Sequence, residues 1–92
     1  MTIEEIRPDI DRIDSEMKDL FLERMQLIEK IALIKAESNT AVYNPAREAE
    51  IIESKSKDID EQFKESYIQF VTDILNISKT YQNKRISEIR SE

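Results

Sequence analysis

The chain has no cysteine, no histidine and no glycine, and only two prolines. Lack of cysteine excludes disulfides, thiolate nucleophiles and zinc–sulfur sites. Lack of histidine removes the commonest general base and the commonest metal ligand, so no catalytic triad built on either residue can be assembled. Without glycine there is no phosphate-cradling loop and no dinucleotide fingerprint. No apolar run approaches the ~20 residues a membrane span needs, and the N-terminus lacks the hydrophobic stretch of a signal peptide. A cytoplasmic protein with no membrane partner is therefore expected. The balance of 14 basic against 20 acidic residues, a net charge of −6, argues against nucleic acid as the main partner.

What the chain does have is charge and helical periodicity. With 37% charged residues, long helices joined by few turns are expected, and 92 residues make one small domain spanning positions 1–92. Ile3, Ile6, Ile10, Ile13, Met17, Leu20, Leu27, Ile31 and Ile34 recur at alternating spacings of three and four, with one gap. That is the stripe of a helix packed lengthwise against other helices. Thr2 followed by Glu5 resembles a capping box, which starts the helix near residue 3. Pro8 allows two readings, a start at the proline or an earlier start with a kink there. The earlier start is preferred, with the end near Glu37.

Asn44-Pro45 reads as an N-cap followed by proline at the first helical position. A short second helix is predicted over Pro45 to Lys55, with Ala49, Ile51 and Ile52 facing inward. A turn follows within Ser56 to Asp60, and a third helix runs from about Glu61 to Ile89. Phe63, Tyr67, Phe70, Val71, Ile74, Leu75, Ile77 and Tyr81 supply its apolar side. The expected class is all-α, long–short–long. A helix of ~35 residues is about 52 Å long, against a gyration radius of roughly 13 Å for a compact domain of this size. One short and one long partner cannot cover such a stripe, so an intertwined homodimer is expected.

The gap in the stripe falls at Arg24, four residues after Leu20 and three before Leu27. A guanidinium in a seam is costly to bury unless an anion meets it. It either pairs with a carboxylate such as Glu23 or Glu48, snorkels to the surface, or binds an anionic ligand. Lys35 lies eleven residues on, a rotation of about 20° and a rise of about 16 Å, so the two long side chains can converge on one small anion. Arg47 and Glu48 stand in the first turns of the second helix, where negative charge is favoured. Arg7 lies about 42 Å from Lys35 along the helix and can meet it only across an antiparallel partner, which makes the site composite.

The stretches Ile6-Arg7-x-x-Ile10-Asp11-x-Ile13-Asp14, Leu20-x-x-x-Arg24-x-x-Leu27 and Ile31-x-x-x-Lys35 resemble the first helix of the all-helical chorismate mutases. Val42-Tyr43-Asn44-Pro45-x-Arg47-Glu48 is similar to the start of that family's second helix, and Ser78-x-x-x-Gln82 to the end of its third. The resemblance covers nearly the whole chain and implies a Claisen rearrangement of chorismate to prephenate, toward phenylalanine and tyrosine. It implies no metal, no cofactor and no covalent intermediate. By resemblance, Arg24 and the partner's Arg7 grip the substrate's two carboxylates, and Lys35 and Gln82 donate to the ether oxygen. Glu48 takes the ring hydroxyl, Ser78 supports a carboxylate and Arg47 lines the pocket. Asn44 stands where some relatives carry aspartate, beside the substrate hydroxyl.

Two rival readings remain at this level. An isochorismate-pyruvate lyase on the same scaffold would use a similar dianion and similar cations. A non-catalytic helical interaction or regulatory module would share the stripe and the dimer, but it gives no reason for Arg24 to interrupt the seam.

Overall fold

A computed structural model describes residues 1–91, which form three helices in chain order: α1 (Ile3–Ser38), α2 (Pro45–Ser56) and α3 (Glu61–Arg90). Each boundary follows from local chemistry. At the start of α1 the Glu5 amide donates to the Thr2 hydroxyl and the Thr2 amide donates to the Glu5 carboxylate, both at 3.3 Å, which closes the capping box. The helix starts ahead of Pro8 and runs through it; the missing N–H leaves the Glu4 carbonyl to solvent on an exposed arm. It stops at Asn39, held in the left-handed region at φ 55°, a conformation asparagine tolerates better than most residues. The Asn44 side-chain oxygen then accepts from the Arg47 amide at 3.1 Å and caps α2, with Pro45 in its first turn. The sequence expectation ended each helix one residue short, at Glu37, Lys55 and Ile89.

α3 is the central element. Among the described residues α1 and α2 both pack on α3 and not on one another. α1 and α3 run parallel, because partners rise together along both helices: Arg24 meets Ser78, Glu29 meets Tyr81 and Arg85, and Asn39 meets Arg90. The seam is thin. Ile28 and Ala32 of α1 and Val71, Leu75 and Ile86 of α3 are its buried apolar residues, joined by the buried polar Ser56, Ser78 and Gln82. Four inward assignments change with this packing, and one residue is added to the core. Ala49 is exposed on α2, Phe63, Phe70 and Ile77 on α3 are largely exposed, and Ile86, absent from the expected apolar side, is core.

The apolar stripe read from the sequence is not the face that meets α3. Ile3, Ile6, Ile10, Ile13, Met17, Leu20, Leu27, Ile31 and Ile34 are all exposed, Leu20 to 64% and Ile34 to 62%. The face turned to α3 is the neighbouring one, carrying Arg24, Ile28, Glu29 and Ala32. The chain measures 55 × 26 × 14 Å with a gyration radius of 16.7 Å, against about 12 Å for a compact chain of this length. Its accessible surface is 7477 Å², about a third more than the roughly 5,600 Å² of a compact monomer of this size. None of the helices among the described residues is long and apolar enough to cross a membrane.

Candidate active site

Arg24 interrupts the stripe because it faces α3 rather than outward with its neighbours. Its Nη1 donates to the Ser78 hydroxyl, which in turn donates to the Ile74 carbonyl at 3.0 Å. Ser78 is almost wholly buried. Burial lowers the Arg24 pKa from its ordinary value, yet an arginine so placed stays charged. Among the described residues no carboxylate comes within ion-pairing range of it. Neither Glu23 nor Glu48 neutralises it.

One turn beyond Ser78, about 6 Å along α3, lies Gln82, 6% exposed. Its side-chain carbonyl Oε1 is enclosed and has no hydrogen-bond partner. An enclosed polar atom without a partner is costly. The parallel register sets Gln82 level with Ile28–Glu29, between Arg24 and Lys35. Beside it, the Tyr81 hydroxyl and the Arg85 Nε both donate to Glu29, the latter at 3.0 and 3.1 Å to its two oxygens. The Tyr81 hydrogen bond, with Arg85 adding to it, holds the Glu29 carboxyl below its ordinary pKa. The same contact pushes the Tyr81 phenol and the Arg85 guanidinium up.

Lys35, in the last turn of α1, donates from Nζ to the Val42 carbonyl at 3.3 Å. The next residue, Tyr43, lies under the Lys79 ammonium, 4.7 Å from the ring centroid. Lys79 also contacts both oxygens of Glu48, at 3.3 and 3.2 Å. Arg24–Ser78, Lys79–Glu48 and Lys35–Val42 are thus linked through consecutive residues of α3 and of the 39–44 connection. Glu48 and Lys79 are half-buried, as is Lys35.

Three predicted residues stand apart from this group. Arg47 is exposed and turns to Glu50 on its own helix at 2.8 Å, so it lines no pocket in the single chain. Asn44 spends its side-chain oxygen on capping α2. Arg7 is exposed on the far arm of α1, about 42 Å from Lys35 by helical rise. Lys79, Tyr43 and Glu29 were not singled out as site residues from sequence. Lys79 adjoins Ser78 and Tyr43 precedes the Asn44 cap, so adjacency was the available signal; Glu29 had none.

A groove of about 690 Å³ runs beside Arg24 between α1 and α3, lined by Met17, Leu20, Phe21, Phe70, Ile74 and Ile77 with Asp14 and Lys18 at its edge. It is apolar and open, and it meets the polar group only at Arg24. The arrangement supplies two cations with no carboxylate on either, a buried amide and a carboxylate held by a lysine. Such a set can bind a small polyanion and donate hydrogen bonds to it.

Comparison with known proteins fits this chemistry. The family model described as chorismate mutase type II matches residues 6–83. A stretch of 51 residues, 55% of this chain, is 43% identical to the bifunctional chorismate mutase/prephenate dehydratase of Aquifex aeolicus (strain VF5). That stretch spans 14% of the Aquifex protein's length. No solved structure matches significantly.

Proposed function

The chain belongs to the chorismate mutase type II family, which makes it an enzyme domain of the isomerase class, and we propose that it converts chorismate to prephenate in the synthesis of phenylalanine and tyrosine. In this Claisen rearrangement the ether carbon–oxygen bond breaks as a carbon–carbon bond forms, within one molecule. No proton has to be transferred and no covalent adduct is needed. Two tasks remain for the protein. It must hold the dicarboxylate in its folded, reactive conformer, and it must aim fixed donors at the ether oxygen as negative charge grows there.

The observation that carries this reading is Arg24, a half-buried guanidinium whose contact is a hydroxyl and not a carboxylate. A desolvated cation without a counterion is a site for an anionic ligand. Arg24 takes one substrate carboxylate, steadied by Ser78, and Lys35 and Gln82 donate to the ether oxygen. Glu48 accepts from the ring hydroxyl, Asn44 holds the helix start that positions Glu48, and Arg47 stays near the rim. The second carboxylate needs Arg7 from another subunit. The uncovered stripe of α1 and the excess surface support a homodimer in which long helices cross antiparallel and each site is composite. Residues 1–92 act in it as one catalytic domain.

The test is a continuous ultraviolet assay of chorismate loss with product identification. Prephenate formed by the wild type, and lost by at least about two orders of magnitude in Arg24→Ala, bears out the reading, since losing the grip on a carboxylate releases the substrate from its reactive conformer. Turnover of isochorismate to pyruvate and salicylate in place of prephenate would shift the reading to the lyase.

A further inference from the structure

Glu48 presents an electrostatic difficulty for any site that takes a dianion. A bare carboxylate there repels both substrate carboxylates, and in a half-buried pocket that repulsion is poorly screened. Nothing on α2 relieves it. Arg47, its sequence neighbour, is engaged outward with Glu50, and the positions one turn ahead, Ile51 and Ile52, are apolar. The side chain leans across to α3 instead, where Lys79 Nζ stands 3.3 Å from one oxygen and 3.2 Å from the other.

Lys79 is itself held from a second side. Its ammonium sits over the Tyr43 ring, 4.7 Å from the centroid, a cation–π contact that limits the directions the flexible stem can take. Tyr43 belongs to the connection whose Val42 carbonyl accepts from Lys35. One lysine therefore ties α3 to the start of α2 and to the connection that meets Lys35. Its neighbour on α3, Ser78, is the partner of Arg24.

We propose that Lys79 is a positioning and charge-compensating residue of this site: it orients the Glu48 carboxylate toward the substrate hydroxyl and cancels its charge toward the substrate dianion. The inference rests on the chorismate mutase reading and adds to it a residue that touches Glu48 and not the reacting atoms. With Lys79 in place, Glu48 serves as a hydrogen-bond acceptor at little electrostatic cost. Without it, the carboxylate is both freer and more repulsive, and the loss falls on substrate binding more than on the chemical step.

Steady-state kinetics on chorismate separate these effects, using the full chain as wild type, Lys79→Met, Lys79→Gln, Lys79→Arg, Glu48→Gln and the Glu48→Gln/Lys79→Met pair. Lys79→Met and Lys79→Gln should raise KM roughly tenfold with kcat within about threefold. Lys79→Arg, which keeps the charge and a two-pronged contact, should restore KM to within about threefold of wild type. In the Glu48→Gln background the further KM effect of Lys79→Met should fall below about twofold. An equal KM effect in both backgrounds overturns the proposal, as does a Lys79→Arg as poor as Lys79→Met or a Lys79→Met indistinguishable from wild type. A wild type inert toward chorismate removes the functional reading and this inference with it, whereas an active wild type with unaffected Lys79 variants removes the inference alone.

Discussion

Arg24 was legible in the sequence as an interruption, a charged residue where periodicity called for an aliphatic one. The resemblance named Ser78 as well, but not its contact with Arg24, because the two lie 54 residues apart and a serine in a helix is ordinary. Gln82 is a sharper case, since only the packing shows its carbonyl enclosed and without a partner. An unsatisfied buried carbonyl costs about 1–3 kcal/mol, so the free protein tolerates Gln82 at the expense of stability. Gln82→Leu, close in volume and free of the orphaned atom, is expected to leave Tm unchanged or raise it by a few degrees while cutting kcat at least tenfold. Scanning calorimetry alongside the chorismate assay checks both halves; a Tm lowered by several degrees would mean that the carbonyl is bonded in solution. Lys35 is expected to behave differently, because it is half-buried and its contact is a backbone carbonyl of the connection. Lys35→Ala should leave subunit size and helicity unchanged and lower kcat by at least two orders of magnitude, about 3 kcal/mol of activation free energy. Circular dichroism and gel filtration, measured beside the rate, distinguish loss of catalysis from loss of fold.

At the scale of the elements, helix ends were the most readable feature. Caps are local chemistry: Thr2 with Glu5, and Asn44 with Pro45, needed no knowledge of the rest of the chain. Which face of α1 meets α3 was not readable, because periodicity reveals an apolar face and not what covers it. The α1–α3 seam instead relies on Ala32, which lets the helices approach, and on polar pairs that only the parallel register brings together. Glu29 with Tyr81 and Arg85 is the chief of these. A carboxyl whose folded pKa lies below its unfolded value contributes stability above the unfolded value and loses it as pH falls through the folded one. Tm should therefore decline on acidification from about pH 4.5 downward, and Glu29→Gln should flatten that limb while lowering Tm at neutral pH. Tyr81 predicts the opposite limb. Its phenol is held neutral in the folded chain, so stability should fall as pH rises past the ordinary phenol value of about 10, and Tyr81→Phe should weaken that fall. A Glu29→Gln protein with the wild-type acid limb would show that other carboxylates govern it.

At the scale of the whole molecule, the length of the stripe was enough to expect a partner, and the chain's own packing leaves that stripe open from Ile3 to Ile34. The arrangement of subunits is a matter of where Arg7 goes. In a composite site, Arg7 of one subunit serves with Arg24 of the other, so loss of either residue disables every site of a pure dimer. Mixing Arg7→Ala with Arg24→Ala subunits has a different outcome. In each hybrid dimer one site collects both substitutions and the other collects none. Random reassociation makes half of the dimers hybrid with one intact site in two, so activity should recover to about a quarter of wild type. The measurement is chorismate turnover after the two inactive variants are unfolded together and refolded, compared with each refolded alone. If Arg7 served its own subunit, each hybrid would carry one singly damaged site of each kind, and mixing would restore nothing. The recovered fraction therefore reports directly on whether the open stripe of α1 is closed by an antiparallel copy of itself.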